Sequence, residues 1–248
     1  MNNPFSLEGK TILVTGASSG IGKAIAIECS KLGAQLLILG RNENRLKETF
    51  NELSGEGHEY IVTDLSLSSS FKEIHSAIPS LDGIVHCAGL TKILPFQFVT
   101  KEDLDEVMNV NFYAPAELSR ILLKNKKINK ESSIVFISSV SGVYCSAIAS
   151  SIYSASKGAV NGLVKGMALD LAPKGIRVNC VNPGMIETNI LSESNITEEQ
   201  LKEDMKRYPL KRYGKPEEVA YAVIYLLSDA SKWVTGSNLL IDGGYTLL

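Results

Sequence analysis

Short apolar runs alternate with longer amphipathic stretches along almost the whole chain. Apolar runs without polar alternation are typical of strands buried on both faces, whereas apolar residues three and four positions apart indicate helices. This pattern predicts strands at residues 11–15, 36–39, 60–62, 83–85, 133–137, 176–181 and 239–241. It predicts helices at 21–32, 43–53, 101–123, 152–171 and 216–227, and a polar segment that contains residues 71–78.

Strands that are each followed by a helix predict an α/β fold, in which one parallel sheet is covered by helices on both faces. The sequence shows no internal repeat or linker, so we expect one doubly wound, Rossmann-type domain over residues 1–248 with about seven strands. Residues 186–214 are polar and unusually long for a connection, which favours a substrate lid. The alternative is a solvated pair of surface helices.

Composition excludes several classes of protein. Hydrophobic residues make up 44% and charged residues 21% of the chain, with a net charge of −2, so no overall field favours nucleic acid or an anionic membrane. No apolar run reaches the roughly 18 residues of a membrane span, and the first residues do not resemble a signal peptide. The four cysteines lack metal-site spacing, which favours reduced thiols, no metal and a cytoplasmic protein.

A glycine-rich turn joins the first predicted strand to the first helix. It contains Gly16, Ser18, Ser19, Gly20, Ile21 and Gly22. Glycines at this point let the backbone approach a pyrophosphate, and the helix N-terminus offers free N–H groups. The turn therefore predicts a dinucleotide site, although it departs from the G-x-G-x-x-G spacing at Ile25. It also matches the G-x-S-x-G elbow of hydrolases, but the three histidines all lie in the first half of the chain, which disfavours that reading.

The residue after the second strand bears on which dinucleotide is bound. NAD sites place an acid there to bind the ribose hydroxyls, whereas this chain has Gly40 and Arg41. A guanidinium can pair with a 2′-phosphate, so we expect NADP(H) to be favoured over NAD(H). Glu43 lies close by and weakens the argument, and Arg41 as a solvated loop residue is the alternative.

Tyr153 and Lys157 are four residues apart at the start of a predicted helix, so they share one face. An ammonium beside a phenol favours the phenolate, which makes the tyrosine a suitable acid–base group for hydride transfer to a carbonyl. Ser139 follows the fifth strand and can reach the same cleft to bind the carbonyl oxygen, with Ser138 and Ser141 as its competitors.

Together these motifs resemble the short-chain dehydrogenase/reductase family over essentially the whole chain. The matching segments are Thr15-Gly16-x-x-x-Gly20-Ile21-Gly22, Asp64-Leu65, Ala88-Gly89, Asn111, Ser139, Tyr153-x-x-x-Lys157, Asn182-Pro183-Gly184 and Ile241-Asp242-Gly243-Gly244. The resemblance implies that Tyr153 is the general acid and base, that Ser139 orients the substrate and that Lys157 also holds the nicotinamide ribose.

The same resemblance assigns further contacts. It implies that Asn111 maintains a proton-relay water, although an asparagine inside a helix can also simply tie two elements together. Asp64 and Leu65 would contact adenine. Ile186 and Thr188, which follow Pro183 and Gly184, would contact the nicotinamide end of the cofactor.

One departure from the family pattern is Cys87, which stands where the family usually has an asparagine that braces the sheet. A thiol is a weak donor, so we expect local repacking around Cys87. Because Ala88 and Gly89 are retained, the path of the cofactor should be intact. A redox-sensing thiol is the alternative.

Within the family, the segment 212–218 and the closing Asp242-Gly243-Gly244 resemble 3-oxoacyl-[acyl-carrier-protein] reductases. In those enzymes basic residues dock the acidic carrier beside the cleft. Lys130 and Lys174 occupy the matching positions here, within a basic run that includes Lys124, Lys126 and Lys127. A merely solvated surface is the alternative for this run.

Three functions remain open on the sequence: an NADPH-dependent ketone reductase, a sugar, polyol or other alcohol dehydrogenase, and a non-catalytic dinucleotide-binding regulator. The complete set of Asn111, Ser139, Tyr153 and Lys157 favours an enzyme. The resemblance also implies a homo-oligomer, most often a tetramer.

Overall fold

Seven parallel strands form one sheet in a computed structural model that describes residues 3–67, 77–188 and 197–247. The strands are β1 (Thr11–Thr15), β2 (Gln35–Gly40), β3 (Glu59–Val62), β4 (Leu81–His86), β5 (Ile128–Ile137), β6 (Arg177–Pro183) and β7 (Asn238–Ile241). Their order across the sheet is β3-β2-β1-β4-β5-β6-β7, and every neighbouring pair is parallel. The predicted α/β fold with a doubly wound parallel sheet is confirmed.

Helices cover both faces of this sheet. They are α1 (Gly20–Lys31), α2 (Glu43–Asn51), α3 (Lys101–Met108), α4 (Ala114–Lys124), α5 (Ser151–Leu171), α6 (Glu198–Met205) and α7 (Pro216–Leu227). One core packs α1 and α7 against the sheet through residues such as Ile25 and Val223, and the other packs α4 and α5 through Leu118 and Val164. Burial of the strands between these two layers explains their uninterrupted apolar runs.

The chain changes direction across the sheet between β1 and β4. Because β1 pairs with β2 on one side and β4 on the other, the loops after β1 and β4 diverge and leave a crevice at the carboxyl ends of the strands. The turn at Gly16, the loop at Gly89 and Ser139 all follow carboxyl ends at this edge. The fold therefore gathers the predicted site residues at one end of the sheet.

The structure differs from the predicted elements in two places. The helix predicted over 101–123 is divided into α3 and α4 by a π-helical turn at Asn109–Tyr113, which places an extra residue in the turn around Asn111. Strand β5 begins at Ile128 rather than at 133, because its polar first half pairs irregularly with β4 and does not read as an apolar run.

Two predicted segments fall partly or largely outside the described residues. These are most of residues 71–78 and, within the expected lid at 186–214, residues 189–196. Helix α6 lies in the described part of the lid segment. The lid and the single domain over 1–248 stay predictions. Within the described ranges, no helix has the length and apolar character needed to cross a membrane.

The last residue of β4, His86, is a buried imidazole in the sheet. Its ring stacks on Phe136 with centroids 4.7 Å apart, and its Nε2 lies 2.8 Å from the Ser119 hydroxyl of α4. Burial lowers the pKa of His86 to about 3, so the ring is neutral in the folded protein at neutral pH.

We predict that His86 makes the fold sensitive to acid. Unfolding returns the ring to water, where it binds a proton below pH 6.5, so its contribution to stability is present above pH 6.5 and is lost progressively toward pH 3. Between pH 7 and pH 5 the wild type should lose about 2 kcal/mol more unfolding free energy than His86→Asn, measured by urea denaturation. Parallel pH dependences for the two proteins would contradict the assignment.

Candidate active site

The glycine turn after β1 forms a concave backbone surface, here called the cradle, that requires glycine at positions 16 and 22. Gly16 has a φ of 69°, and a Cβ added to it would lie 2.7 Å from the Ala88 backbone nitrogen. A Cβ on Gly22 would collide with the Gly16 carbonyl oxygen. Ser19 begins α1 with an extended backbone and no side-chain cap, so the N–H groups of the first helical turn face the cradle uncapped. These residues fit the pyrophosphate of a dinucleotide.

The backbone opposite the cradle is braced by Thr15. The Thr15 hydroxyl oxygen accepts from the backbone N–H groups of Cys87 at 3.1 Å and Ala88 at 3.2 Å. The backbone at positions 87 and 88 is therefore held by the neighbouring strand, and local repacking around the Cys87 side chain stays a prediction. Burial raises the pKa of the Cys87 thiol to about 12, which disfavours the thiolate that a redox sensor requires.

Arg41 and Asp64 lie next to each other at the ends of β2 and β3. The Asp64 carboxylate accepts from the Ser66 backbone N–H at 2.9 Å. This hydrogen bond holds the pKa of Asp64 below its ordinary value, and the positive charge of Arg41 lowers it further. Arg41 is exposed and follows β2 directly, which is where a ribose-phosphate would meet the protein. Leu65 beside Asp64 packs against the α4 and α5 core.

Asn111 in the π turn is buried and joins two elements. Its Oδ1 accepts from the Leu90 backbone N–H at 2.9 Å, and its Nδ2 donates to the Leu90 carbonyl at 3.0 Å and to the Ser156 hydroxyl at 2.9 Å. The side chain thus ties the loop after β4 to α5. This is the bridging role left open on the sequence, and the relay of a proton by a bound water stays a prediction.

The amine of Lys157 lies beneath the ring of Tyr153, as their spacing on one helical face requires. Lys157 is only 6% exposed, and its Nζ is 5.7 Å from the centre of the Tyr153 ring. The ammonium donates to the Ile137 carbonyl at 2.9 Å, at the end of β5. The structure thus places the Lys157 amine beside the phenol that the sequence analysis assigns to proton transfer.

The three serines after β5 have different contacts. The Ser138 hydroxyl donates to the Lys157 carbonyl at 3.0 Å, so it fastens α5 to the strand. Ser139 is buried, and its Oγ accepts from the Ser141 backbone N–H at 3.1 Å. With its oxygen held in this way, Ser139 can donate its own proton to a carbonyl oxygen. Ser138 is therefore engaged in packing, whereas Ser139 keeps its hydroxyl proton for a substrate.

Two further contacts bring the predicted cofactor residues toward this group. A Cβ on Gly89 would lie 3.3 Å from Asn111 Oδ1 and 3.5 Å from Lys157 Nζ. On the other side, the methyl of Thr188 would be 3.2 Å from a Cβ on Gly20. The segment after β6 therefore reaches back over the glycine turn. It begins at Pro183 and Gly184 and contains buried Ile186, which pairs with Gly214.

The surroundings of Ser18 do not support a hydrolase, in which a histidine would activate this serine. His86 Nε2 is engaged by Ser119, and both nitrogens of His58 are engaged, by the Leu36 N–H and the Ser54 carbonyl, near the amino end of β2. His75 lies outside the described residues. Neither described histidine can activate the Ser18 hydroxyl.

Two residues of this arrangement were not identified from the sequence: Leu90 and Ser156. Leu90 acts through its backbone, which no side-chain pattern reports. Ser156 is one of several serines near the start of α5, and only its hydrogen bond with Asn111 distinguishes it from its neighbours.

Comparison with known proteins gives consistent matches over nearly the full length. A family model described as enoyl-(acyl carrier protein) reductase matches residues 16–246. The 3-oxoacyl-[acyl-carrier-protein] reductase of Rickettsia bellii is 35% identical over 244 residues, which cover 98% of this chain and 100% of the relative.

Solved structures agree with this grouping. A short-chain dehydrogenase/reductase double mutant from Serratia marcescens matches with a TM-score of 0.89 and 29% identity, covering 98% of this chain and all of that one. An Agrobacterium tumefaciens protein provisionally named 2-deoxy-D-gluconate 3-dehydrogenase, with bound NADP, matches with a TM-score of 0.88 and 31% identity over both full chains.

We predict that Tyr153→Phe abolishes catalysis without abolishing cofactor binding. The variant keeps the ring over Lys157 but has no proton to donate, so kcat for ketone reduction should fall at least ~10²-fold. The dissociation constant of the dinucleotide, measured by fluorescence titration, should stay within a few-fold of the wild-type value. A near-normal kcat would remove the Tyr153 hydroxyl from the reaction.

Proposed function

Because the chain belongs to the short-chain dehydrogenase/reductase family, oxidoreductases that bind a nicotinamide dinucleotide, we propose that it is an NADP(H)-dependent reductase. It converts a ketone into a secondary alcohol, and its substrate is a 3-oxoacyl chain carried as a thioester. The observation that carries this proposal is the buried Lys157 amine beneath Tyr153, which donates to the Ile137 carbonyl two residues before Ser139 and faces the loop at Gly89.

The preference for NADP(H) rests on Arg41. The guanidinium is exposed directly after β2, where an acid would otherwise bind the ribose hydroxyls, and it can pair with a 2′-phosphate. Asp64 stands beside it, so the phosphate would compete with that carboxylate for Arg41. The bound NADP in the Agrobacterium tumefaciens structure is consistent with such a site in a related protein.

In this reaction the residues of the chain have separate tasks. The first turn of α1 and the glycine turn would hold the pyrophosphate of the dinucleotide, and Lys157 would hold its nicotinamide ribose. When bound, the reduced dinucleotide supplies the hydride that reaches the carbonyl carbon. Ser139 Oγ donates to the carbonyl oxygen and orients it, and Tyr153 Oη delivers the proton that this oxygen takes up. The nearby ammonium stabilises the phenolate that remains.

The rim of the cleft favours an apolar substituent on the substrate. The loop after β4 exposes Ile93 and Phe96, each 72% accessible, and the loop between Ser139 and Tyr153 exposes Ile148, 96% accessible. A hydrogen bond of 2.8 Å from the Leu94 N–H to the Ala149 carbonyl joins the two loops. An apolar rim suits an acyl chain better than a polyhydroxylated acid.

A second candidate is the oxidation of a sugar, polyol or other alcohol, which the same residues would catalyse in the reverse direction. The similarity to the protein named 2-deoxy-D-gluconate 3-dehydrogenase favours it. A non-catalytic regulator would not need Tyr153 and Lys157 in contact.

The proposal extends to an acidic acyl carrier protein and to a homotetramer. Lys130 lies near the start of β5 and Lys174 just before β6, and Gly175 packs on Glu131, so the two lysines lie on adjacent segments at the amino end of the sheet. Ser139 follows the opposite end of β5, about 25–30 Å away at the rise of a strand. A carrier docked on this pair would therefore serve the cleft of another subunit, which makes oligomerisation part of the proposal.

We predict that Arg41→Ala weakens binding of NADPH about tenfold or more, while binding of NADH changes less than twofold. The reason is that only NADPH carries the 2′-phosphate, whose charge-assisted hydrogen bonds are strong. Isothermal titration with both dinucleotides measures the difference. Arg120→Ala, which removes an exposed arginine of α4, is the control and should change neither. Equal losses for the two dinucleotides would contradict the phosphate contact.

The substrate proposal predicts the outcome of a panel assay of NADPH oxidation. Medium-chain 3-oxoacyl thioesters should give kcat/KM at least ~10²-fold above keto-sugar acids, because the apolar rim stabilises the acyl chain. The opposite order would establish the second candidate.

The double variant Lys130→Glu with Lys174→Glu should raise KM for the carrier-bound substrate and leave KM for the coenzyme A thioester unchanged. An equal rise in KM for the coenzyme A thioester would rule out carrier docking.

A further inference from the structure

The segment that follows α6 is held by aromatic rings rather than lying free over the cleft. Tyr208 is only 5% exposed. Its ring stacks on Tyr245 of the C-terminal turn, with centroids 4.9 Å apart and planes at 26°, and meets the edge of Tyr213 at 5.4 Å and 89°. Offset stacks and edge contacts of this kind stabilise beyond the area they bury. The described part of the lid segment is thus packed against the C-terminal turn.

Arg207 adds a second link to the same tyrosine. Its Nη2 donates to the Tyr245 hydroxyl at 2.5 Å, and its guanidinium lies 5.0 Å from the centre of the Tyr245 ring. Arg207 also pairs with Asp204 at 3.0 Å, and Asp204 accepts from the Tyr213 hydroxyl at 2.9 Å. We call Arg207, Tyr208 and Tyr245 the tail clamp.

The C-terminal turn is itself rigidly attached to the sheet. The Asp242 carboxylate, directly after β7, accepts from the Gly244 N–H at 2.9 Å and from the Thr246 N–H and hydroxyl at 2.9 and 2.7 Å. The Leu210 N–H donates to the Gly243 carbonyl at 3.3 Å. The tail clamp therefore holds the described part of the lid segment at a fixed position relative to β7.

The tail clamp also reaches the two loops of the active site. The backbone of Met185 lies at the Tyr208 hydroxyl, and the Met185 carbonyl accepts from the Gly214 N–H at 3.0 Å, so the lid segment is fastened on both sides to the strand end that leads to Ile186. Burial raises the pKa of the Cys145 thiol, with Asp242 raising it further and Arg207 lowering it. Cys145 belongs to the loop between Ser139 and Tyr153, and the Tyr144 hydroxyl of that loop donates to the Asn238 carbonyl of β7 at 3.1 Å.

We propose that Tyr245 and Tyr208 are positioning residues, which fix residues 197–214 against the loops that would carry the substrate and the nicotinamide end of the cofactor. This inference rests on the proposed function for its effect on a substrate, but the physical link does not. Neither tyrosine touches the reacting atoms. Their loss should loosen the substrate side of the cleft and leave the proton transfer at Tyr153 intact.

The experiment compares Tyr245→Ala with Tyr245→Phe in the full-length protein. The alanine variant loses both the stack and the cation–π contact, whereas the phenylalanine variant keeps the ring and loses only the hydroxyl. Tyr221→Ala, which removes an exposed tyrosine of α7, is the matched control. Hydrogen exchange of peptides from residues 197–214, without ligand, measures the link itself. Steady-state KM and kcat for the best ketone of the panel measure its consequence.

We expect exchange in 197–214 to become at least about fivefold faster in Tyr245→Ala, with near-normal rates in Tyr245→Phe and Tyr221→Ala. KM for the ketone should rise about fivefold in Tyr245→Ala, the effect of one lost aromatic pair, while kcat stays within twofold. A purely structural role would instead lower kcat through a smaller active fraction and leave KM unchanged.

Unchanged exchange in Tyr245→Ala would overturn the tail clamp, whatever the activity. Faster exchange with an unchanged KM would overturn its role in positioning substrate. If the wild type reduces no ketone of the panel, the proposed function fails, and the exchange rates still decide whether Tyr245 holds the lid segment.

Discussion

The ammonium of Lys157 is buried at the carboxyl end of the sheet and donates to the Ile137 carbonyl, and the arrangement of the site depends on this contact. Burying a charge without a carboxylate beside it is costly, so the amine must keep its hydrogen bonds. The hydrogen bond from the amine to the Ile137 carbonyl holds α5 against the end of β5. Tyr153, one helical turn away, is thereby brought beside the loop that carries Ser139. Ser138 reinforces the same joint from the strand side. The cost of burying this charge thereby fixes the position of the Tyr153 ring.

Much of this arrangement follows from the sequence, because local periodicity determines it. The apolar runs of a doubly wound sheet indicate which residues follow the carboxyl end of each strand. The sequence alone therefore assigns Gly16, Arg41 and Ser139 to one edge of the sheet. The spacing of Tyr153 and Lys157 fixes a shared helical face. What the sequence could not give depends on contacts between distant segments. The brace from Thr15 to Cys87, the bond from Asn111 to Leu90 and the stack of Tyr208 on Tyr245 each join residues more than 20 positions apart.

The chain also shows why chemistry is easier to infer than substrate. Proton transfer requires a few residue types at fixed distances, and these are carried by β5 and α5. The surfaces that select a substrate lie on the connecting loops, which vary while the scaffold is retained. Relatives that share this scaffold are accordingly named for acyl-carrier substrates in one case and for a sugar acid in another. In this chain the loops expose Ile93, Phe96 and Ile148, and the proposal of an acyl substrate rests on them.

The π turn at Asn109–Tyr113 has a consequence for how this helix can change over evolution. An i→i+5 turn holds one residue more than the regular spiral, and it therefore behaves as an insertion that the protein has kept. If the turn became regular α-helix without losing a residue, one half of the helix would rotate relative to the other by about 100°. Either Asn111 would then leave Leu90, or Leu118 would turn out of the sheet interface. The extra residue therefore lets Asn111 reach Leu90 while Leu118 stays in the core, and a substitution at Asn111 itself would lose the first of these contacts.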